Sequence, residues 1–132
     1  DVYSFGVIVL EIISGHKCNS TAFPFHEESL IEQAWRLWNE DNALELVDIR
    51  LESNFSVNDV AKCIHIGLLC IQNDANKRPT MAPIVAALNG HPVDLPAPVT
   101  PQPGSAGHAN CSQYSSTISS NKDIITELND PR

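Results

Sequence analysis

The most constraining feature of this chain is the change of composition at Gly90. Before it, apolar residues recur at helical spacing. After it come Pro92, Pro96, Pro98, Pro101 and Pro103, then a stretch containing Ser112, Ser115, Ser116, Ser119 and Ser120. A segment of that kind has too little apolar surface to offset the entropy of ordering it. Residues 1–90 are therefore the expected folded part, and residues 91–132 a Pro/Ser-rich disordered C-terminal tail. Ile118, Ile124, Ile125 and Leu128 form a short apolar group near its end, suited to docking. With 132 residues in all, one small domain is the ceiling.

Charge and hydropathy exclude several classes of function. Eight Lys and Arg face sixteen Asp and Glu, a formal charge of −8, and no run of basic residues offers a footprint for phosphate backbones or anionic lipid. Nucleic acid is not an expected partner. The longest strongly apolar stretch, from Val2 to Ile13, is broken by Ser4 and Glu11 and falls short of the roughly 20 residues that span a bilayer. No membrane contact by this segment is expected. The sequence opens on Asp1 and runs straight into an apolar helical pattern, as a fragment would. Cys18, Cys63, Cys70 and Cys111 lack the close spacing of a secreted disulfide scaffold and fit a reducing compartment better. The Asn-x-Ser/Thr triplets at Asn19, Asn54 and Asn110 carry no weight outside the secretory lumen.

The pattern predicts an all-α fold of four or five helices. From Asp1 to Ser14, apolar residues cover every face, as in a buried helix. Asp1 is placed to accept hydrogen bonds from the first-turn amides, and Gly15 to end the helix in the left-handed conformation. A second helix is predicted from about Glu28 to Asn39, with a stripe of Leu30, Ile31, Ala34, Trp35, Leu37 and Trp38. Glu27, Glu28 and Glu32 suit its positive end. A short helix follows at Asn42–Val47. Ser56-Val57-Asn58-Asp59 resembles a capping box with Asp in place of Glu, opening a helix to about Ile71 with Val60, Ala61, Ile64, Leu68 and Ile71 inward. The last helix starts at Thr80, carries Met81, Ile84, Val85 and Leu88, and stops at Asn89-Gly90, with Pro83 tolerated in the first turn.

No catalytic set assembles from these residues. Cys63, His65 and Cys70 look like metal ligands, but seven helical residues separate the two thiols by about 10 Å, too far for one ion. Buried cysteines and a packed histidine are the better reading. Trp35 and Trp38 are core or groove anchors before they are a ligand platform. The acids from Glu40 to Glu52 lack the spacing of a calcium loop and read as a solvated face. Arg78 differs: between Lys77 and Pro79 at the mouth of a helix, a partly buried guanidinium demands a carboxylate partner.

Two long stretches carry a family resemblance. Asp1-Val2-Tyr3-Ser4-Phe5-Gly6-Val7-Ile8-Val9-Leu10-Glu11-Ile12 resembles the buried central helix of the protein-kinase C-lobe, in the form found in plant receptor-like kinases. Lys77-Arg78-Pro79-Thr80-Met81 resembles the segment before that lobe's last helix. Ala34-Trp35-Arg36-Leu37-Trp38-Asn39-Glu40 and Cys63-Ile64-His65-Ile66-Gly67-Leu68-Leu69-Cys70 are similar to the cysteine-rich and S-locus lectin receptor-like kinases. Ile124-Ile125-Thr126-Glu127-Leu128 resembles the tail those kinases carry.

The resemblance implies roles for named residues. Asp1 matches the aspartate that holds the catalytic-loop backbone and anchors the regulatory stack of hydrophobic side chains, a structural role. Ile8 and Ile12 match supports of the second stack, which the adenine ring of ATP completes. Arg78 matches the arginine that pairs with the Glu closing the activation segment. Glu11 matches a position that in some kinases meets basic substrate residues and in many is helix surface. Pro83 departs from the small or acidic residue usual there. The Gly-rich loop, its lysine, the H-R-D base and the D-F-G aspartate are all missing from this sequence.

The expectation is thus the C-terminal part of a receptor-like serine/threonine kinase domain. It would lack catalytic, cofactor and metal sites of its own, while ATP and Mg serve the parent protein. Its partners would be the rest of the kinase domain and, for the parent, protein substrates, at the cytoplasmic side of the plasma membrane, or in the cytoplasm for a free fragment. The alternative from another class is a non-catalytic interaction module from a truncated kinase gene. A fragment of this kind is also expected to be marginally stable and prone to aggregate.

Overall fold

The computed structural model describes residues 2–18, 28–51 and 55–101. Asp1, the Asn19, Asn54 and Asn110 triplets, Glu27, Glu52 and the apolar group from Ile118 to Leu128 lie outside the described residues. The elements are α1 (Val2–Ser14), α2 (Leu30–Asn39), α3 (Val57–Cys70) and α4 (Met81–Leu88), with 3₁₀ turns at Ala43–Leu46, Ile49–Leu51 and Ala75–Lys77. Among the described residues there is no strand, so this part of the chain is all-α.

α3 is the centre of the fold, and α1 crosses it where both helices present glycine. A Cβ on Gly6 would lie 2.6 Å from the Cys70 Cβ and 2.8 Å from the Gly67 carbonyl oxygen, so only a hydrogen fits there. Gly67 in turn faces Leu10, whose Cδ2 would be 3.1 Å from an added Cβ. This close approach lets Val7 and Leu10 reach complete burial beside Ile64 and Leu68. The same core takes in Leu30, Ile31, Ala34, Trp35 and Leu37 from α2. On the other flank of α3, Ile66 and Cys70 pack with Ile84 and Ala87 of α4. The predicted inward face of α3 was one stripe. In the fold every residue from Ile66 to Cys70 is buried, because a core lies on each side.

The helix ends follow local chemistry, with one exchange of roles. Ser29 and Glu32 form the capping box: the Glu32 amide donates to Ser29 Oγ at 3.2 Å and the Ser29 amide to Glu32 Oε2 at 3.1 Å. The box expected at Ser56 is absent. Ser56 is the N-cap by backbone only, and the Asp59 carboxyl is one methylene shorter than the Glu that the reciprocal bond needs. Thr80 likewise caps α4 without a side-chain bond. Gly15 (φ 73°) and Gly90 (φ 84°) end α1 and α4 in the left-handed region. At the second, the Gly90 amide donates to the Ala87 carbonyl at 3.1 Å and the His91 amide to the Ala86 carbonyl at 3.0 Å, a Schellman pair. The short helix predicted at Asn42–Val47 is a 3₁₀ turn at Ala43–Leu46.

Two expectations about burial are corrected. α1 is apolar all round but not buried all round: Ile8 is 40% and Ile12 67% exposed, because no described element covers that side. In α4 only Ile84 of the predicted stripe is buried, and Met81, Val85 and Leu88 face outward.

The chain beyond Gly90 also differs from expectation. Residues 91–101 form an extended strap across α3, with Val93 and Leu95 against the second core and Pro98 buried. Prolines with fixed φ lose little freedom on ordering, so few contacts suffice to hold such a segment. The composition change at Gly90 therefore marks the end of the helices and not the end of the packed chain.

Candidate functional site

The most elaborate polar arrangement lies between α3 and α4, around Gln72 and Arg78. α3 stops at Cys70, and Gln72 turns its amide inward, only 3% exposed. Its Nε2 donates to the Leu69 carbonyl at 3.0 Å and the Lys77 carbonyl at 2.8 Å, and its Oε1 accepts from the Val99 amide at 2.8 Å. One side chain thus ties the end of α3, the following turn and the strap together. Asp74 caps that turn by accepting from the Asn76 amide at 3.0 Å.

Arg78 emerges half-buried from this turn. Its Nε donates to the Gln72 carbonyl at 2.7 Å and its Nη2 to the Asn73 carbonyl at 3.4 Å. The guanidinium carbon stands 4.9 Å from the centroid of the Tyr3 ring, a cation–π contact. Burial pushes the Tyr3 hydroxyl above its usual pKa, partly offset by the Arg78 charge. The carboxylate expected beside Arg78 is not found within 4.0 Å among the described residues. Carbonyl oxygens and a ring face hold the cation instead. Gln72 is the residue that pattern reading missed; its signal was a polar residue just past a helix, opening the run Gln72-Asn73-Asp74.

The other predicted residues are placed apart from this centre. Ile8 and Ile12 lie on the uncovered face of α1. Glu11 Oε1 accepts from the Cys18 amide at 2.8 Å, which fastens the loop after α1. It also lines a shallow hollow of about 490 Å³ with His16, Lys17, Asp48 and Arg50. There Asp48 and Arg50 are bonded at 2.6 Å, and that bond holds the Asp48 carboxyl below its usual pKa. Trp35 is core, as expected, while Trp38 is half-buried with its ring centroid 5.3 Å from that of His65.

Cys63, His65 and Cys70 are not brought together. Cys63 packs against the first core and Cys70 belongs to the second, while His65 Nε2 is hydrogen-bonded to the Pro96 carbonyl at 2.7 Å. Burial pushes the Cys70 thiol up to about 11, against a small opposing pull from Arg78. Burial raises Cys63 too, reinforced by Asp59. Cys63 and Cys70 are free thiols, whereas Cys18 is disulfide-bonded. The expectation of reduced cysteines therefore fails at Cys18, which lies in the loop beyond α1 and not on a helix. Among the described residues no three His, Cys, Asp or Glu side chains converge as metal ligands, and no helix is long and apolar enough to cross a membrane.

No family model matches the sequence. Curated relatives do. The chain is 50% identical over 106 residues to the putative cysteine-rich receptor-like protein kinase 33 of Arabidopsis thaliana, a match covering 76% of this chain and 16% of that protein. It is 48% identical over 102 residues to cysteine-rich receptor-like protein kinase 25, covering 74% and 14%. It is 48% identical over 101 residues to cysteine-rich receptor-like protein kinase 7, covering 76% and 15%, both from the same organism. The chain spans about 14–16% of the length of these relatives. Over three quarters of its length, and on an all-α frame, the chain thus matches a part of the cysteine-rich receptor-like protein kinases at 48–50% identity.

Proposed function

We propose that this chain is the closing part of the catalytic domain of a receptor-like serine/threonine kinase. The parent protein would transfer the γ-phosphoryl group of ATP to protein substrates at the cytoplasmic face of the plasma membrane. The observation that carries this reading is the uncovered side of α1. A helix apolar on every face leaves Ile8 and Ile12 at 40% and 67% exposure, which suits a helix whose second flank is covered by other parts of a larger domain. A half-buried Arg78 held, among the described residues, by carbonyls and a ring supports the same reading, since a carboxylate from elsewhere in the domain would complete it.

The described residues do not fit a nucleotide or its metal. Their acids are exposed or paired locally, and no three ligands converge, so no step of phosphoryl transfer is drawn through them. The contribution proposed for this chain is mechanical: α1 is the rigid post, and α3 with its two cores keeps that post from tilting. The disulfide at Cys18 runs against a cytoplasmic location, where thiols stay reduced.

The size of the native polypeptide tests the proposal. An immunoblot raised against the Ser112–Arg132 peptide is expected to show a band far above 14.4 kDa. A band near that mass would contradict it and leave a non-catalytic interaction module.

A further inference from the structure

The strap ends at a hydroxyl that sits where added negative charge would not be tolerated. Thr100 Oγ1 donates to Asn39 Oδ1 at 2.9 Å. Asn39 is the last residue of α2, so Thr100 is held against the negative pole of that helix. Glu40 and Asp41 follow at once and are exposed. Arg36, the cation on the same turn, is already taken up by Glu28 at 2.9 Å and Glu40 at 3.4 Å. The sequence adds an independent sign: Thr100-Pro101 is the one Ser/Thr-Pro step in the 132 residues. Proline keeps the residue before it extended, the conformation in which an acceptor threads a kinase cleft. Thr100 is half-buried and, apart from its own backbone, is tied down by the Asn39 bond at the far end of the strap.

We propose that Thr100 is a phosphorylation site for a proline-directed serine/threonine kinase, and that its phosphate releases the strap from α2 and α3. In the modifying step Thr100 Oγ1 forms a bond to the γ-phosphorus of ATP and the bond from that phosphorus to the bridging oxygen breaks. ADP leaves with the electron pair, and the hydroxyl proton passes to the base of the modifying kinase. The product carries about two negative charges. They are brought to the carbonyl end of α2, which the acidic pair Glu40-Asp41 follows directly, and the donor that bonded Asn39 is gone. Repulsion there lifts the strap end, and the neighbouring latch from the Val99 amide to Gln72 Oε1 opens with it. This inference rests on the strap and not on the kinase reading, and it would stand if that reading fell.

The test is to treat the full chain with a proline-directed kinase and ATP, locate phosphate by mass spectrometry, and follow hydrogen exchange at the Val99 amide. Phosphate on Thr100 with Val99 exchange faster by at least about tenfold is expected. Asn39→Lys, at an exposed position, should reverse the sign, so that the phosphate pairs with the lysine and Val99 exchange slows. Phosphate refused by the chain but accepted by a free peptide of residues 94–106 would overturn the site. Phosphate on Thr100 with Val99 exchange unchanged, or faster in Asn39→Lys as well, would overturn the release.

Discussion

The two flanks of α1 are made of the same residue types and live in different surroundings. On one flank Gly6, Val7 and Leu10 press on α3 at a distance that admits no Cβ. On the other, Ile8 and Ile12 stay 40% and 67% exposed, and neither joins a core among the described residues. Apolar character alone therefore does not say what is buried. The inner flank is recognisable by its glycine and by the small Gly67 opposite, since close helix approach needs a missing side chain on both sides. The outer flank carries large β-branched residues with no such partner, the composition of a surface meant for a neighbour.

Mutations should separate the flanks in order of size. Leu10→Ala removes a completely buried side chain at the crossing and should cost about 2–5 kcal/mol in urea unfolding. Gly6→Ala drives a methyl group into Cys70 and the Gly67 backbone and should cost about 1–3 kcal/mol, with Gly67 unable to yield as a flexible side chain would. Gln72→Ala strands the Val99 amide and the Lys77 carbonyl, for about 1–3 kcal/mol, and should loosen the strap before the helices. Ile12→Asn should change the stability of the isolated chain by no more than about 0.5 kcal/mol, because its side chain is already in water.

Cysteine chemistry sharpens the same comparison. The Cys70 thiol, pushed up to about 11 at the α1 crossing, stays protonated at pH 8. Iodoacetamide at that pH should alkylate the half-buried Cys63 well before Cys70. Equal rates would mean that the crossing opens readily.

What could be read from the sequence was what repeats. The 3.6-residue spacing located α1, α3 and α4 within a residue or two, and Gly15 and Gly90 marked helix ends through the backbone conformation they permit. The capping box was assigned to Ser56 when Ser29 and Glu32 form it, because Asp59 and Glu32 differ by one methylene of reach. The strap was not legible. His65 with Pro96, Gln72 with Val99 and Asn39 with Thr100 are single polar bonds between residues 31, 27 and 61 apart, and such pairs leave no period to detect. The roles matched to Ile8, Ile12, Glu11 and Arg78 came from resemblance. The fold adds that Glu11 fastens its own loop and that Arg78 rests on carbonyls and Tyr3.

The central claim is that the outer flank of α1 is an interface within a larger kinase domain. The direct measurement is the unfolding free energy of Ile8→Asn/Ile12→Asn in two settings, the 132-residue chain and the longer kinase polypeptide proposed to contain it. The account predicts almost no change in the chain alone and a loss of about 2–5 kcal/mol for each side chain in the full-length protein, where both are covered. Equally small losses in both settings would contradict it, leaving Ile8 and Ile12 as surface residues in the parent as well.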